Sequence, residues 1–198
     1  MSLYLLHGLA HIELNAIDTA WDTVLRFSKQ RRMPFQFYVD FSSIASDEAR
    51  HFELLCQRLQ SKESFYGAIP AHVGIWDGAE KTKADFLGRL TVIQLVQEPR
   101  ALDSWERLME KFKSQSDKES SKLMDVICRE EIDHVRKGLY WFQYLCNELK
   151  LDPVATFHEK ASAYVGIVPP PFNFEARTEA GMSQDWYLPI SKRNVTTT

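Results

Sequence analysis

The sequence predicts an all-α protein: a four-helix bundle of two antiparallel hairpins joined by a long crossover, with a short C-terminal helix and an extended tail. Three observations carry that prediction. Apolar residues recur at helical spacing through four long stretches. Two of those stretches carry Glu-x-x-His, at Glu48 to His51 and at Glu131 to His134. Each is preceded by another apolar helix bearing one glutamate on its apolar face, Glu13 and Glu98, and the two intervals nearly match at 35 and 33 residues.

The first helix is predicted from about Leu3 to Phe27. The second opens at Pro34, whose fixed φ suits a first helical turn, and continues through Arg58 to about Ser61. The stretch from Phe65 to Asp77 is too long and glycine-marked for a hairpin turn and is predicted to be the crossover. Asp77 with Glu80, and Ser116 with Glu119, have capping-box spacing and mark the expected starts of the third and fourth helices, the fourth running to about Lys150. Pro99 removes the hydrogen bond to the carbonyl of Leu95 and should kink the third helix beside Glu98. Asp152-Pro153 caps a short fifth helix to about Tyr164. From Val168 the tail is proline-rich but holds too many aromatics for a disordered linker, so it should pack on the bundle. The domain reading is a bundle over residues 1–167 and a tail over 168–198.

A helical wheel at roughly 100° per residue places the glutamates. Glu13 shares its face with Leu6, Leu9, Ala10, Ala16, Ile17 and Ala20; Glu48 with Phe41, Ile44, Ala45, His51 and Leu55. Glu131 lies with Met124, Ile127, Cys128, His134 and Val135, and Glu98 with Leu95, Ala101, Leu102 and Trp105. All four carboxylates point where a helix normally puts leucine, and a buried carboxylate needs compensation. Four ionised glutamates are neutralised by two divalent cations, and two neutral imidazoles complete the shell. The expected metal ligands are therefore Glu13, Glu48, His51, Glu98, Glu131 and His134. A lone Glu-x-x-His is weak evidence, because exposed pairs at this spacing are common; the matched pair on apolar stripes is what gives the signal its force. His7 and His11 form His-x-x-x-His, but His11 is about 200° from Glu13 and is expected to be solvated or at an interface, as is His7. Glu130 and Asp47 turn off the stripe and are expected as surface acids or acids supporting the ligands. Cys128 and Trp105 could line a pocket, although ordinary core is the simpler expectation.

With 198 residues, 44% of them hydrophobic and 12% aromatic, the chain can build one good core. A net charge of −3 with scattered basic residues gives no nucleic-acid footprint. Three cysteines without a Cys-x-x-Cys argue against a disulfide framework and for a reducing compartment. No run reaches membrane-spanning length and the start lacks a signal peptide's charged region, so a cytoplasmic protein is expected.

Two hairpins joined by one long crossover is ferritin-like connectivity, and a glutamate from two helices plus Glu-x-x-His from two others is the ligand pattern of di-iron carboxylate bundles. The stretches Leu-His-Gly-Leu-Ala-His-Ile-Glu-Leu-Asn-Ala-Ile-Asp (6–18), Asp-Glu-Ala-Arg-His-Phe (47–52), Tyr-Gly-Ala-Ile-Pro-Ala-His (66–72), Arg-Ala-Leu-Asp (100–103), Glu-Ile-Asp-His-Val (131–135) and Pro-Phe-Asn-Phe-Glu-Ala-Arg (171–177) carry a further signal. Together they resemble the ferritin-like family of domain of unknown function 455. The resemblance spans nearly the whole chain and implies a ferritin-like fold with a di-iron centre, without an established substrate.

The donor set suits iron or manganese better than structural zinc, so two iron ions are expected, with a manganese–iron pair equally compatible with the ligands. The leading functional expectation is a di-iron oxidoreductase, an O2-dependent oxidase or hydroxylase with O2 and a small molecule as its reactants. The alternatives are an iron-handling or ferroxidase protein, or a structural bundle held by its metal. No nucleic-acid or membrane partner is expected, and the sequence leaves the oligomeric state open, a homodimer included.

Overall fold

The computed structural model describes residues 2–71 and 74–191. Every regular element among them is helical: α1 (Ser2–Phe27), α2 (Phe35–Gln60), α3 (Gly74–Lys81), α4 (Phe86–Val92), a π-helical segment (Ile93–Gln97), α5 (Pro99–Lys113), α6 (Lys118–Glu148), α7 (Pro153–Tyr164), α8 (Phe174–Glu179) and α9 (Gln184–Tyr187). No helix among the described residues is long and apolar enough to cross a membrane. The chain divides into two compact units, residues 1–80 with 105–130, and residues 81–104 with 131–198, so α5 and α6 each contribute to both.

In the first unit α1 and α2 pack against each other, and the short connection 28–34 makes them antiparallel neighbours. Their apolar stripes meet those of two further helices in one core. Leu6 and Ala10 come from α1, Leu55 and Leu59 from α2, Leu108 and Phe112 from α5, and Met124, Ile127 and Cys128 from α6. Four helical segments thus share this core. Cys128 is an ordinary member of it, and Trp105 packs on its edge with its indole N–H donated to Asp125 at 3.2 Å.

Asp117 ties the ends of this unit together. Its carboxylate accepts from Ser2 Oγ at 2.8 Å and Arg58 Nη2 at 2.5 Å, and pairs with Lys62 Nζ at 2.7 Å. It also caps α6 by accepting from the Ser120 N–H at 3.1 Å. The cap is therefore Asp117, one residue beyond the expected Ser116, which instead takes a left-handed turn conformation with φ 58°. Both residues stand at plausible distances from the helix, and the ion pairs with α2 select the acid.

The second unit holds the larger departure from expectation. Asp77 lies inside the short α3 and does not start the third long helix. That helix starts at Asp85, whose side chain accepts from the Gly88 N–H at 2.9 Å and also receives Lys160 Nζ at 2.8 Å and Tyr164 Oη at 3.0 Å from α7. Asp77 with Glu80 has capping spacing, but Asp85 has two partners across the interface. The α4–α7 approach is close enough that a Cβ on Gly88 would come within 2.6 Å of the Tyr164 ring. Burial disfavours the Asp85 charge, yet Lys160, the Gly88 N–H and Tyr164 together hold its carboxyl below the usual range.

Pro99 is absorbed by the π-helical segment that precedes it. The Glu98 N–H reaches back five residues to the Ile93 carbonyl at 3.0 Å, and Glu98 keeps helical φ and ψ of −57° and −48°. A π turn relaxes the helix where proline cannot donate and leaves the backbone at Glu98 helical.

The tail carries two short helices, α8 and α9, where an extended course was expected. Arg177 of α8 is fully buried and forms a two-pronged pair with Asp103 of α5, Nε to Oδ1 at 2.8 Å and Nη2 to Oδ2 at 2.7 Å. Its guanidinium lies 4.5 Å from the Tyr187 ring centroid. The Asn173 N–H also donates to Asp103 Oδ1 at 3.0 Å. Trp186 packs against Phe142 and Phe157. The tail is thus built into the second unit, although Phe174 stays 46% exposed.

Asp117 gives the fold an acid-sensitive contact. Burial opposes its charge, but Lys62, Ser2, Arg58 and the Ser120 N–H hold its carboxyl well below the usual carboxylate range. A depressed folded pKa contributes stability that is complete above the unfolded value of about 3.9 and fades as pH falls below it. Asp117→Asn should therefore destabilise the protein clearly at pH 7, and the gap in urea midpoint between it and wild type should narrow steadily below about pH 4. A gap independent of pH down to 2.5 would show that the Asp117 charge is not what holds these helix ends.

Candidate metal centre

The glutamates that the helical wheel put on apolar faces are inside. Glu13, Glu48 and Glu131 are 6%, 1% and 2% exposed, His51 and His134 are 0% and 1%, and Glu98 is partly buried. Small neighbours make the space, with Ala10 and Ala16 flanking Glu13 and Ala45 one turn before Glu48.

Within the first unit Glu13, Glu48 and His51 converge, each offering a ligand atom within 4.8 Å of the other two. His51 Nδ1 is 3.5 Å from Glu48 Oε2 and 3.9 Å from Glu13 Oε2. The Glu-x-x-His spacing of α2 puts Glu48 and His51 on one face, and α1 brings Glu13 across from them. Within the second unit Glu98, Glu131 and His134 converge on the same 4.8 Å criterion, with His134 Nδ1 3.1 Å from Glu131 Oε2. Each unit therefore assembles two carboxylates and one imidazole from two helices.

The far side of His51 is fixed by an acid. Glu130 Oε2 is 2.7 Å from His51 Nε2 and accepts from Arg50 Nη2, also at 2.7 Å. Burial disfavours the charge on Glu130, but Arg50 and His51 hold its carboxyl below the usual range, so it is an acceptor. Nε2 of His51 then carries a proton, and Nδ1 is the nitrogen on the side of Glu13 and Glu48. This carboxylate-to-imidazole arrangement is the usual way a metal-binding histidine is oriented. Glu130 thus takes the supporting place expected for it, whereas Asp47 pairs with Arg50 at 3.2 Å at the surface. Arg50 was not legible as part of the site, since its role depends on Glu130, eighty residues away in the chain.

His7 departs from expectation. It is 2% exposed, accepts from the Gly67 N–H at 2.8 Å through Nε2, and stacks on Tyr66 with centroids 5.1 Å apart. His11 Nδ1 meets Tyr66 Oη at 2.7 Å. Both histidines hold the start of the crossover against α1. The crossover's glycine at 67, with φ 99°, presents the N–H that His7 accepts, a long-range partner invisible in the sequence. His72 lies outside the described residues. Cys56, Cys128 and Cys146 are free thiols, and burial pushes Cys146 up to about 11, which leaves it protonated and unreactive at neutral pH.

Two comparisons place the chain in a family. A family model described as Protein of unknown function (DUF455) matches residues 1–188. A protein of Haemophilus influenzae, named only as an uncharacterized protein, is 32% identical over 195 residues, an alignment that covers 94% of this chain and 68% of the other. No solved structure matches the chain. The match through both Glu-x-x-His helices and the tail shows that the chain belongs to the family Protein of unknown function (DUF455).

Proposed function

We infer that this protein is a ferritin-like di-iron carboxylate bundle, and that it works as an O2-dependent oxidase or hydroxylase of a small organic molecule. The observation that carries the reading is the pair of matched triads: Glu13, Glu48 and His51 in one unit, Glu98, Glu131 and His134 in the other, five of the six residues buried. In α6 the acid that holds His51, Glu130, directly precedes Glu131.

The donor chemistry fits the group. Four carboxylates and two neutral imidazoles are hard and borderline donors that balance two divalent iron or manganese ions, and no cysteine is among them. Iron bound there supplies a capacity that no side chain of the protein has, the reductive activation of O2. The protein's own residues do the rest. Glu130 keeps His51 in its Nε2–H tautomer, the apolar neighbours on α1 and α2 exclude water, and the glutamates supply negative charge that favours oxidised metal.

Anaerobic titration of the metal-stripped protein with ferrous iron should give two equivalents bound per chain. On exposure to O2 the loaded protein should oxidise its iron much faster than free ferrous iron at the same pH, and Glu48→Gln and Glu131→Gln should each abolish the acceleration. Oxidation at the rate of free iron would remove both the oxidase and the iron-handling readings and leave a structural metal. Acceleration that comes with accumulation of many iron atoms per chain would favour iron handling.

Glu130→Gln tests the support of His51 separately. It keeps the shape but loses the charged acceptor, and should weaken metal binding by roughly 10- to 100-fold, as loss of an orienting carboxylate does. A change of less than about twofold in a competition titration with a chromophoric chelator would remove Glu130 from the account.

A further inference from the structure

The helix turn that precedes Glu98 carries polar groups where none are needed for folding. Thr91 and Gln94 are 0% and 1% exposed, and neither Thr91 Oγ1 nor Gln94 Oε1 has a hydrogen-bond partner among the described residues. Buried hydroxyls and amides are almost always bonded, because an orphan loses its water without replacement. Leucine or valine would fill both positions at less cost.

Their placement gives the polar groups a direction. Thr91, Gln94 and Glu98 follow one another at spacings of three and four on one face of the helix. The π turn between Ile93 and Gln97 turns less per residue, so Gln94 and Glu98 fall nearly in line. The opposite wall agrees. Gly138 of α6 lies one turn beyond His134 and two beyond Glu131, on the ligand-bearing stripe, and a Cβ there would collide with Cβ and Cγ of Gln94. The glycine leaves room for Gln94 to lie against α6 one turn from His134. Two helices thus set a buried amide and a buried hydroxyl directly beyond the Glu98–His134 end of the candidate centre.

We propose that Thr91 and Gln94 form a small-molecule subsite that receives the hydroxyl or amine of a neutral polar ligand, with Gln94 Oε1 and Thr91 Oγ1 as its hydrogen-bond acceptors. The location of this subsite beside a metal rests on the dinuclear reading; the subsite itself does not. Two acceptor oxygens favour a ligand that donates hydrogen bonds over an anion, and the depth of both residues selects a compact molecule. The π turn contributes by bringing Gln94 into line with Glu98, so that a ligand held by the amide lies next to the metal ligands.

Ethylene glycol, a compact neutral molecule with two hydroxyl donors, is the probe. In metal-free protein, saturation transfer to glycol should be visible and should weaken about 3- to 10-fold in Gln94→Met and Thr91→Val, the loss of one or two hydrogen bonds. Both variants should melt no lower than wild type, because each removes a buried polar group that has no protein partner. A melting point lower by more than about 4 °C would mean that the group serves the fold, and overturns the proposal. So would unchanged saturation transfer in stable variants. With Mn(II) added, glycol protons should relax faster in wild type; bound Mn(II) without that relaxation overturns the placement beside the centre. Failure to bind Mn(II), with glycol transfer intact and sensitive to the substitutions, would instead sink the dinuclear reading and leave the subsite supported.

Discussion

Glu13, Glu48 and Glu131 stand on helix faces otherwise built from leucine, isoleucine and alanine, and a carboxylate there is stable only when something holds its charge. That requirement organises both units. It places an imidazole three residues after a glutamate on α2 and again on α6, so that each histidine turns a nitrogen toward its own helix's acid. It also recruits Glu130 and Arg50 outside His51, which fixes the ring from behind. Elsewhere the chain meets the same problem with cations: Asp117 draws in Arg58 and Lys62, Asp85 draws in Lys160, and Asp103 takes Arg177. At the candidate centre the groups that meet are carboxylates and imidazoles, with His51 beside Glu13 and Glu48 and His134 beside Glu131.

The structural pairs do a different task. Asp117 joins the ends of α1, α2 and α6, and Asp103 with Arg177 locks the tail to the start of α5. Removing one partner of so buried a pair is far more damaging than the pair's net contribution, because a charge is left stranded. The tail is therefore part of its unit's fold, and Arg-Ala-Leu-Asp near residue 100 and Pro-Phe-Asn-Phe-Glu-Ala-Arg near residue 174 are two halves of one contact.

Periodicity made the long elements legible. α1, α2 and α7 run within a residue or two of expectation, because each has an apolar stripe at helical spacing and, for α2 and α7, a proline at its start. The burial of the candidate glutamates and histidines was legible for the same reason: Glu-x-x-His puts both side chains on one face of any helix. The start of the third long helix was not, since Asp77 and Asp85 look equally able to cap, and what separates them, Lys160 and Tyr164, lies some eighty residues away. Pro99 announced a disturbance but not its form; the π turn places Gln94 against Gly138 of α6, a contact far along the chain. The burial of His7 and the pairing of Arg177 depend on backbone and side chains far along the chain, which no local pattern records.

Iron-edge X-ray absorption on protein loaded anaerobically with two equivalents of ferrous iron tests the central claim most directly. It reads the atoms around the metal without requiring a substrate or an electron donor. The account predicts a first shell of oxygen and nitrogen only, with an iron neighbour at roughly 3.5–4 Å that disappears in Glu48→Gln and Glu131→Gln. Iron without a second iron near it, or a spectrum unchanged by both substitutions, would contradict it.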